Sequence, residues 1–285
     1  MIERVGREVR VPLRPGADGV HAWVYDCPGP TLDAPTVLLV HGLGVTAHVN
    51  WGRSYRALSR HFRVLAMDLR GHGRGPRTHR FRLEDCADDA VAIADALGIE
   101  RLVCVGYSLG GSVATLAWRR HPKRIAGLVL AATAAEFGRG RRARWLRRLL
   151  PVAALLARAR PETLRRLLVE RARLRLRGLH VERLVEAELA GHDLPALVQA
   201  VGAASGFSSR AWLAEIDVPV AVVVTADDDR IGAAAQRSLA AQIPGAVVLE
   251  VAGPHTACVT RPDVFVPALI EACRSVSAGA RLDPR

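Results

Sequence analysis

The sequence predicts an α/β protein with a mostly parallel central sheet and helices on both of its faces. Short, nearly all-apolar runs recur along the chain, as is typical of strands buried on both faces of a parallel sheet. Segments with apolar residues at helical spacing lie between these runs. This strand–helix alternation is typical of an open sheet that is covered by helices on two sides.

Eight strands are predicted in chain order. Two of them open the chain at 8–13 and 20–25, and the turn-like residues 15–19 separate them. The other six are short apolar runs at 36–40, 63–67, 102–105, 128–131, 218–224 and 247–251.

Four helices are predicted between or after these strands. The helix at 83–97 has Ala87, Val91 and Ala94 at helical spacing, and Gly98 is suited to end it. The helix at 109–120 stops before His121-Pro122, since the residue before a proline disfavours the helical conformation. Two further helices are predicted at 233–242 and 264–276.

The alternation breaks between 134 and 210, where consecutive helices are predicted. We expect Pro151 and Pro161 to kink or separate these helices. We expect an apolar face to cover the body while arginines face water, because apolar residues follow an i, i+4, i+7, i+11 spacing at Trp145, Leu149, Val152 and Leu156. The resulting organisation is a core at 1–133 and 211–285 with a helical, arginine-rich cap inserted at 134–210.

The formal net charge of +12 arises within this insertion. Residues 139–177 contain 14 arginines and two acidic residues, whereas the remainder carries 26 basic and 26 acidic residues. No nucleic-acid-binding motif accompanies the basic segment, so we expect no nucleic-acid partner.

Cysteine use and the N-terminal sequence predict a reduced, cytoplasmic protein. The five cysteines include no C-x-x-C pair, so neither a zinc site nor a disulfide framework is indicated. The first residues, MIERVGREVRV, lack the apolar segment of a signal peptide. No apolar run approaches the roughly 18 residues of a membrane span. We therefore expect no membrane contact. A weaker alternative is that the arginine-rich cap lies on an anionic membrane surface. No feature of the sequence indicates an oligomeric state.

The strongest chemical signal is GYSLGG at 106–111, which follows a predicted strand and precedes a predicted helix. This is the context of a G-x-S-x-G nucleophile elbow. The elbow is a tight turn that exposes a serine hydroxyl, here that of Ser108, and only glycine fits where the chain approaches itself closely. It also places the amide of Leu109 at a helix N-terminus, where the amide can stabilise an oxyanion.

A second signal is HGLG at 41–44, directly after a predicted strand. A glycine loop at this sheet edge can direct a backbone amide into the crevice where open α/β sheets bind ligands. Leu43 is the candidate second oxyanion donor through its amide. We interpret His41 as a structural residue that orders this loop, and His72 likewise as a loop-ordering residue.

An acid cluster and a histidine complete the candidate site. Asp227-Asp228-Asp229 follow the strand at 218–224, and His255 follows the strand at 247–251. A carboxylate there can orient the histidine, and imidazole can take and return a proton because it ordinarily titrates near pH 6.5. Three consecutive aspartates leave the identity of the acid open. The order Ser108, Asp228, His255 is the Ser…Asp…His order of one hydrolase fold.

Together these motifs resemble the α/β-hydrolase superfamily, in its esterase and lactonase-like branch with a helical cap. The resemblance spans 36–275 and rests on HGLG, on DLRGHG at 68–73, on GYSLGG, on the acid turn at 225–232 and on GPH at 253–255. Similar proteins carry the acid in G-x-x-D-x-x-V-P, which assigns it to Asp228. This chain departs from that pattern with Thr225 for glycine and Gly232 for proline, so Asp229 stays an alternative. A serine at the elbow disfavours haloalkane dehalogenases and epoxide hydrolases, which have aspartate there.

The resemblance implies a serine hydrolase that cleaves a small-molecule carboxylic ester or lactone through an acyl-enzyme, without metal or organic cofactor. Alternatives with the same three side chains are a thioesterase or acyltransferase, a cofactor-free haloperoxidase and a lyase. The basic cap favours an acidic carrier protein as a partner in the thioesterase or acyltransferase case. A more distant alternative is a non-catalytic receptor for a small ligand.

Overall fold

The structure is a computed structural model that describes residues 6–13, 19–137, 141–163, 166–167, 170 and 191–280. For residues 141–147 and 151 it describes the backbone alone. The turn expected at 15–18, the helices expected at 171–190 and the side chain of Trp145 therefore lie outside the described residues.

One eight-stranded sheet forms the centre of the molecule, with strand order β1-β2-β4-β3-β5-β6-β7-β8. Pairing is antiparallel between β1 and β2 and between β2 and β4, and it is parallel from β4 to β8. The sheet confirms the predicted fold class and all eight predicted strands. Their bounds are Arg7–Pro12, His21–Cys27, Thr36–Val40, Arg63–Met67, Leu102–Tyr107, Ile125–Ala131, Val220–Thr225 and Val247–Val251 for β1 to β8.

Helices follow most of the parallel strands. The bounds of α1 to α9 are Ala47–Trp51, Tyr55–Leu58, Leu83–Ala96, Leu109–Arg120, Arg141–Ala159, Leu194–Gly206, Ala233–Ala240, Ala257–Thr260 and Pro262–Gly279. The predicted helices correspond to α3, α4, α7 and α9. Sequence reasoning missed α1, α2 and α8, because four or five residues are too few to show a helical period.

Successive side chains of the strands enter two different core layers. In β3, Leu38 and Val40 pack in the layer with α3 and α4, whereas Val37 and Leu39 pack in the layer with α1, α2 and α9. Side chains alternate between the faces of a strand, so a strand covered on both sides is apolar at every position. This is why the buried strands appear as unbroken apolar runs.

The segment between β6 and β7 contains α5 and α6. Helix α6 lies against the body, since Ala200 belongs to the same core layer as α3 and α4 and the amide of Asp193 donates to the carbonyl oxygen of Gly71. Helix α5 continues through Pro151 and ends at Ala159, before Pro161. The assignment of 134–210 as a cap remains a prediction.

The apolar face expected for α5 was wrong. Leu149, Val152 and Leu156 are exposed by 42%, 56% and 60%. The side chains that face α6 lie about one residue, or roughly 100°, further around the helix. Ala157 packs with residues of α6, and Leu150 is adjacent to Gly202 of that helix. Leu150 and Ala157 therefore lie on the side of α5 that faces α6.

Among the described residues, no helix is both long enough and apolar enough to cross a membrane. The five cysteines are buried and free, and burial raises the pKa of Cys104 and Cys273 to about 12.

Candidate active site

The serine elbow forms the junction between β5 and α4. Ser108 has φ 52° and ψ −116°, in the region that non-glycine residues rarely occupy. Its amide donates to the carbonyl oxygen of Ala131 at 2.9 Å, and its carbonyl oxygen accepts from the hydroxyl of Thr133 at 2.8 Å. A Cβ atom on Gly106 would overlap the carbonyl oxygen of Gly110, so glycine is required there, as the sequence predicted.

The structure brings Ser108, His255 and Asp228 into one hydrogen-bonded chain. The distance from Ser108 Oγ to His255 Nε2 is 3.1 Å, and the distance from His255 Nδ1 to Asp228 Oδ2 is 2.8 Å. A carboxylate only accepts hydrogen bonds, so Nδ1 carries the proton and Nε2 is free to accept from the serine hydroxyl. Ser108 is half-buried, whereas the other two residues are buried.

The turn after β7 places only one of its three aspartates against His255. Asp227 and Asp229 are exposed, and Asp228 is buried. Burial opposes ionisation of Asp228, but the hydrogen bonds from His255 and from backbone amides outweigh it and hold its pKa well below the usual range. Its other donors are the amides of Arg230 and Ile231, the hydroxyl of Thr225 and the side-chain amide of Gln236.

Both departures from the family pattern in this turn have a local explanation. Thr225 donates its hydroxyl hydrogen to Asp228, which glycine could not do. Gly232 begins α7 with φ 78°, and proline cannot adopt that conformation because its ring fixes φ near −65°.

A hydrogen bond from a tyrosine hydroxyl holds the loop that carries the histidine. His255 lies between β8 and α8, and its carbonyl oxygen accepts from the hydroxyl of Tyr107 at 2.7 Å. Tyr107 is the neighbour of Ser108 at the end of β5. The residue before the elbow serine therefore connects β5 to the loop that carries the histidine.

The HGLG loop lies next to the elbow at the end of β3. His41 is completely buried, its Nδ1 donates to the carbonyl oxygen of Gly42 at 2.7 Å, and its Nε2 accepts from the amide of Leu69 at 2.9 Å. Burial lowers the pKa of His41 to about 3. This geometry agrees with its interpretation as a loop-ordering residue. His72 is also buried, and its Nδ1 lies 3.0 Å from the carbonyl oxygen of Arg70.

Asn50 of α1 connects the HGLG loop to α8, the helix that follows the histidine loop. Its Oδ1 accepts from the amide of Gly42 at 3.0 Å, and its Nδ2 donates to Sγ of Cys258 at 3.5 Å. A Cβ atom on Gly42 would lie 3.4 Å from Cβ of Ser108. The loop that carries Leu43 therefore passes beside the elbow.

The two predicted oxyanion donors are found in the expected local contexts. Leu109 is the first residue of α4, where amides of the first turn have no partner within the helix. Leu43 follows Gly42, whose own amide is used by Asn50.

Sequence reasoning assigned no role in this site to Asn50, Tyr107, Thr225 or Gln236. Tyr107 and Thr225 lie within the quoted motifs, but the sequence does not show the hydrogen bonds that they make. The contacts of Asn50 and Gln236 join residues that are distant along the chain and arise only from packing. Among the described residues, no group of three or more histidine, cysteine or acidic side chains is arranged to hold a metal ion.

The fold and the arrangement at the sheet edge define an α/β hydrolase. The profile of the family described as "alpha/beta hydrolase fold" matches residues 35–262, and the chain belongs to this family. Two curated relatives are similar over most of the chain. A pimeloyl-[acyl-carrier protein] methyl ester esterase of Chromobacterium violaceum is 32% identical over 249 residues, covering 83% of this chain and 93% of that protein. A putative carbamate hydrolase of Agrobacterium fabrum is 31% identical over 248 residues, covering 84% and 93%.

Solved structures of hydrolases have the same architecture. The enol-lactonase from Burkholderia xenovorans superposes with a TM-score of 0.75 at 25% identity, covering 89% of this chain and 97% of that one. A thermophilic esterase from Thermogutta terrifontis superposes with a TM-score of 0.76 at 25% identity, covering 95% and 99%.

Proposed function

We propose that this protein is a serine hydrolase that cleaves a carboxylic ester or lactone through an acyl-enzyme intermediate. The observation that carries the proposal is the hydrogen-bonded chain from Ser108 through His255 to Asp228. Hydrolysis of esters, lactones and carbamates is named for relatives and structural neighbours, and this supports the reaction class.

In the proposed mechanism, Nε2 of His255 takes the hydroxyl proton as Ser108 attacks the carbonyl carbon. The amides of Leu43 and Leu109 donate to the oxyanion of the tetrahedral intermediate. His255 then protonates the leaving alkoxide, and the acyl group stays on the serine. A water molecule attacks this acyl ester with the same proton transfers and releases the acid. Asp228 holds the imidazole and stabilises its charged form, and Asp229 is too exposed for this task.

The decisive variant is Ser108→Ala, assayed on a p-nitrophenyl acyl ester. Loss of the nucleophile lowers kcat by about 10⁶-fold in comparable enzymes, so turnover is expected to vanish. Ser112→Ala is the matched control, because it removes a buried hydroxyl four residues along the same helix. More than a few percent of residual activity in Ser108→Ala would contradict the mechanism.

A fluorophosphonate probe separates an enzyme from a receptor of the same fold. An activated serine reacts covalently with this probe, whereas a receptor has no need of one. We expect labelling of the wild-type protein and none of Ser108→Ala. An unlabelled wild-type protein would favour the binding function.

A second candidate function is action on an acyl group that is attached, as an ester or a thioester, to an acidic carrier protein. The supporting observation is the outer face of α5 and the residues after it, where arginines are exposed beside exposed leucines. Charge complementarity accelerates such encounters at low salt. The described arginines of this surface are Arg148, Arg158, Arg160 and Arg166.

This candidate predicts a salt-sensitive kcat/KM on carrier-bound substrates but not on small esters. The test compares one acyl group as a carrier-bound ester, a carrier-bound thioester and a free ester at low and high salt. Arg148→Glu with Arg158→Glu is expected to weaken only the carrier-bound reactions, and exposed Arg60→Glu, outside the insertion, serves as the control. A salt-insensitive preference for small esters would exclude the carrier.

A further inference from the structure

We propose that Gln236, together with Thr225, is a positioning residue that fixes the Asp228 carboxylate and limits how strongly it attracts the charged form of His255. The inference deepens the proposed function and rests on it. Its basis is a closed group of buried hydrogen bonds formed by β7, the acid turn and α7.

The orientation of the Gln236 side chain follows from its neighbours. Gln236 and Thr225 are completely buried, so each of their polar atoms needs a partner within the protein. The backbone amide of Thr225 donates to Oε1 of Gln236 at 3.0 Å, which fixes that end of the side chain as the carbonyl. The NH₂ end therefore points to Oδ2 of Asp228, at 2.8 Å, and to Oγ1 of Thr225, at 3.0 Å.

The Thr225 hydroxyl completes the group. Its oxygen accepts from Gln236. Its hydrogen has two acceptors within reach, Oδ2 of Asp228 at 2.8 Å and Oε1 of Gln236 at 3.3 Å, and the shorter contact favours Oδ2. Oδ2 of Asp228 thus accepts hydrogen bonds from the side chains of Thr225, Gln236 and His255. Oδ1 accepts hydrogen bonds from two backbone amides. An ionised carboxylate has about four lone-pair sites, and five donors surround this one, so no acceptor site is left free and the donors oppose rotation of the group.

The chemical consequence concerns how the negative charge on Oδ2 is shared. Each donor on this oxygen reduces the charge available to the imidazolium that forms during turnover. Removing Thr225 or Gln236 as a donor strengthens the remaining bond to His255 and stabilises the imidazolium. Such a change raises the midpoint of the acid limb of the kcat/KM pH profile, while the looser carboxylate lowers kcat.

Other ionisable groups near the pair do not mask this effect. Burial raises the pKa of Cys258 to about 12 and that of Tyr107 well above its usual value, so both are neutral in the assay. Asp227, Asp229 and Arg230 on the acid turn are exposed, and water and salt screen their charges.

The test measures pH profiles of Thr225→Val and Gln236→Leu on a small ester. Thr225→Val replaces the hydroxyl with a methyl group of similar size, so packing is preserved. This variant therefore tests the proposal even if Gln236→Leu fails to fold. We expect about a tenfold loss in kcat with little change in KM, and an upward shift of the acid limb by about half a pH unit or more. Thr225→Ser is expected to restore the wild-type profile, and Gln242→Leu, just beyond α7, is the control.

The outcomes separate this inference from the proposed function. A wild-type enzyme that depends on Ser108 but shows an unshifted acid limb in both variants would overturn the role of Gln236 and Thr225. Loss of stability with an unshifted limb would indicate a purely structural role and would overturn it equally. A wild-type protein that neither turns over esters nor reacts with a fluorophosphonate would instead overturn the proposed function.

Discussion

The backbone of Ser108 is held in a conformation that costs about 1–3 kcal/mol in an unconstrained chain. Two hydrogen bonds, to Ala131 and from Thr133, hold it there. The sheet and the segment after β6 therefore stabilise the strained residue and orient the hydroxyl of the proposed nucleophile.

Asn50 is expected to matter for rate more than for binding. Asn50→Leu removes the acceptor of the Gly42 amide and frees the loop that carries the proposed donor Leu43. Since an oxyanion donor is effective only when it is already oriented, we expect kcat to fall by about 10–100-fold with little change in KM. Steady-state kinetics on a small ester measures this.

Cys258→Ala is the matched comparison for Asn50→Leu. It removes the other partner of Asn50 but leaves the Gly42 contact intact, so its effect on kcat is expected to be smaller. Equal kcat values for Asn50→Leu and the wild-type enzyme would show that the loop does not depend on this side chain.

At the scale of elements, the elbow depends on close contact between β5 and α4. A methyl group at Gly106 would meet the backbone of Gly110 and Gly111, and backbone cannot move aside as a side chain can. We expect Gly106→Ala to lower the free energy of unfolding by about 3 kcal/mol or more. Urea denaturation checks this value.

Gly206→Ala provides the control for this substitution. Gly206 is the last residue of α6, and beyond its chain neighbours and the adjacent backbone of its own helix no atom lies within 4 Å of the position a Cβ would take. The free energy of unfolding should stay within about 0.5 kcal/mol of wild type. If the two variants were equally stable, tight packing at the elbow would not be the reason for Gly106.

An element could be predicted when its own residues determine its structure, and it could not when packing against distant residues decides. The strands were predictable because each is a short apolar run covered on both faces, and β3, β4 and β8 have the predicted bounds. The outward face of α5 was not predictable, since two sets of apolar residues compete for α6 and only packing decides between them. Asp228 could be favoured only through the resemblance to the family pattern. Its partner Gln236 could not be found, because the contact exists only after β7 and α7 pack.

At the scale of the whole molecule, buried histidines make stability sensitive to acid. Burial lowers the pKa of His41 and His72 from 6.5 to about 3. Below pH 6.5 the unfolded chain binds protons that the folded chain does not, so stability is complete above pH 6.5 and falls toward pH 3. Each of the two residues contributes to this loss of stability with falling pH.

Chemical denaturation between pH 7.5 and 4.5 tests this expectation. His72→Gln should make the free energy of unfolding depend less steeply on pH, by about half of the contribution of the two histidines, whatever its effect on stability at pH 7.5. Exposed His79→Gln is the control. An unchanged slope in His72→Gln would contradict the assignment. The raised pKa of buried Asp68 acts in the opposite direction, because the folded state then binds a proton more readily than the unfolded state.

The order of the strands along the chain has a consequence for biosynthesis. Ser108 follows β5, Asp228 follows β7 and His255 follows β8. The ribosome therefore synthesises the proposed base, His255, last of the three. A nascent or prematurely terminated polypeptide carries the serine without the partner that would activate it. The catalytic power proposed here therefore appears only after β8 has been synthesised, when all eight strands of the described sheet are available.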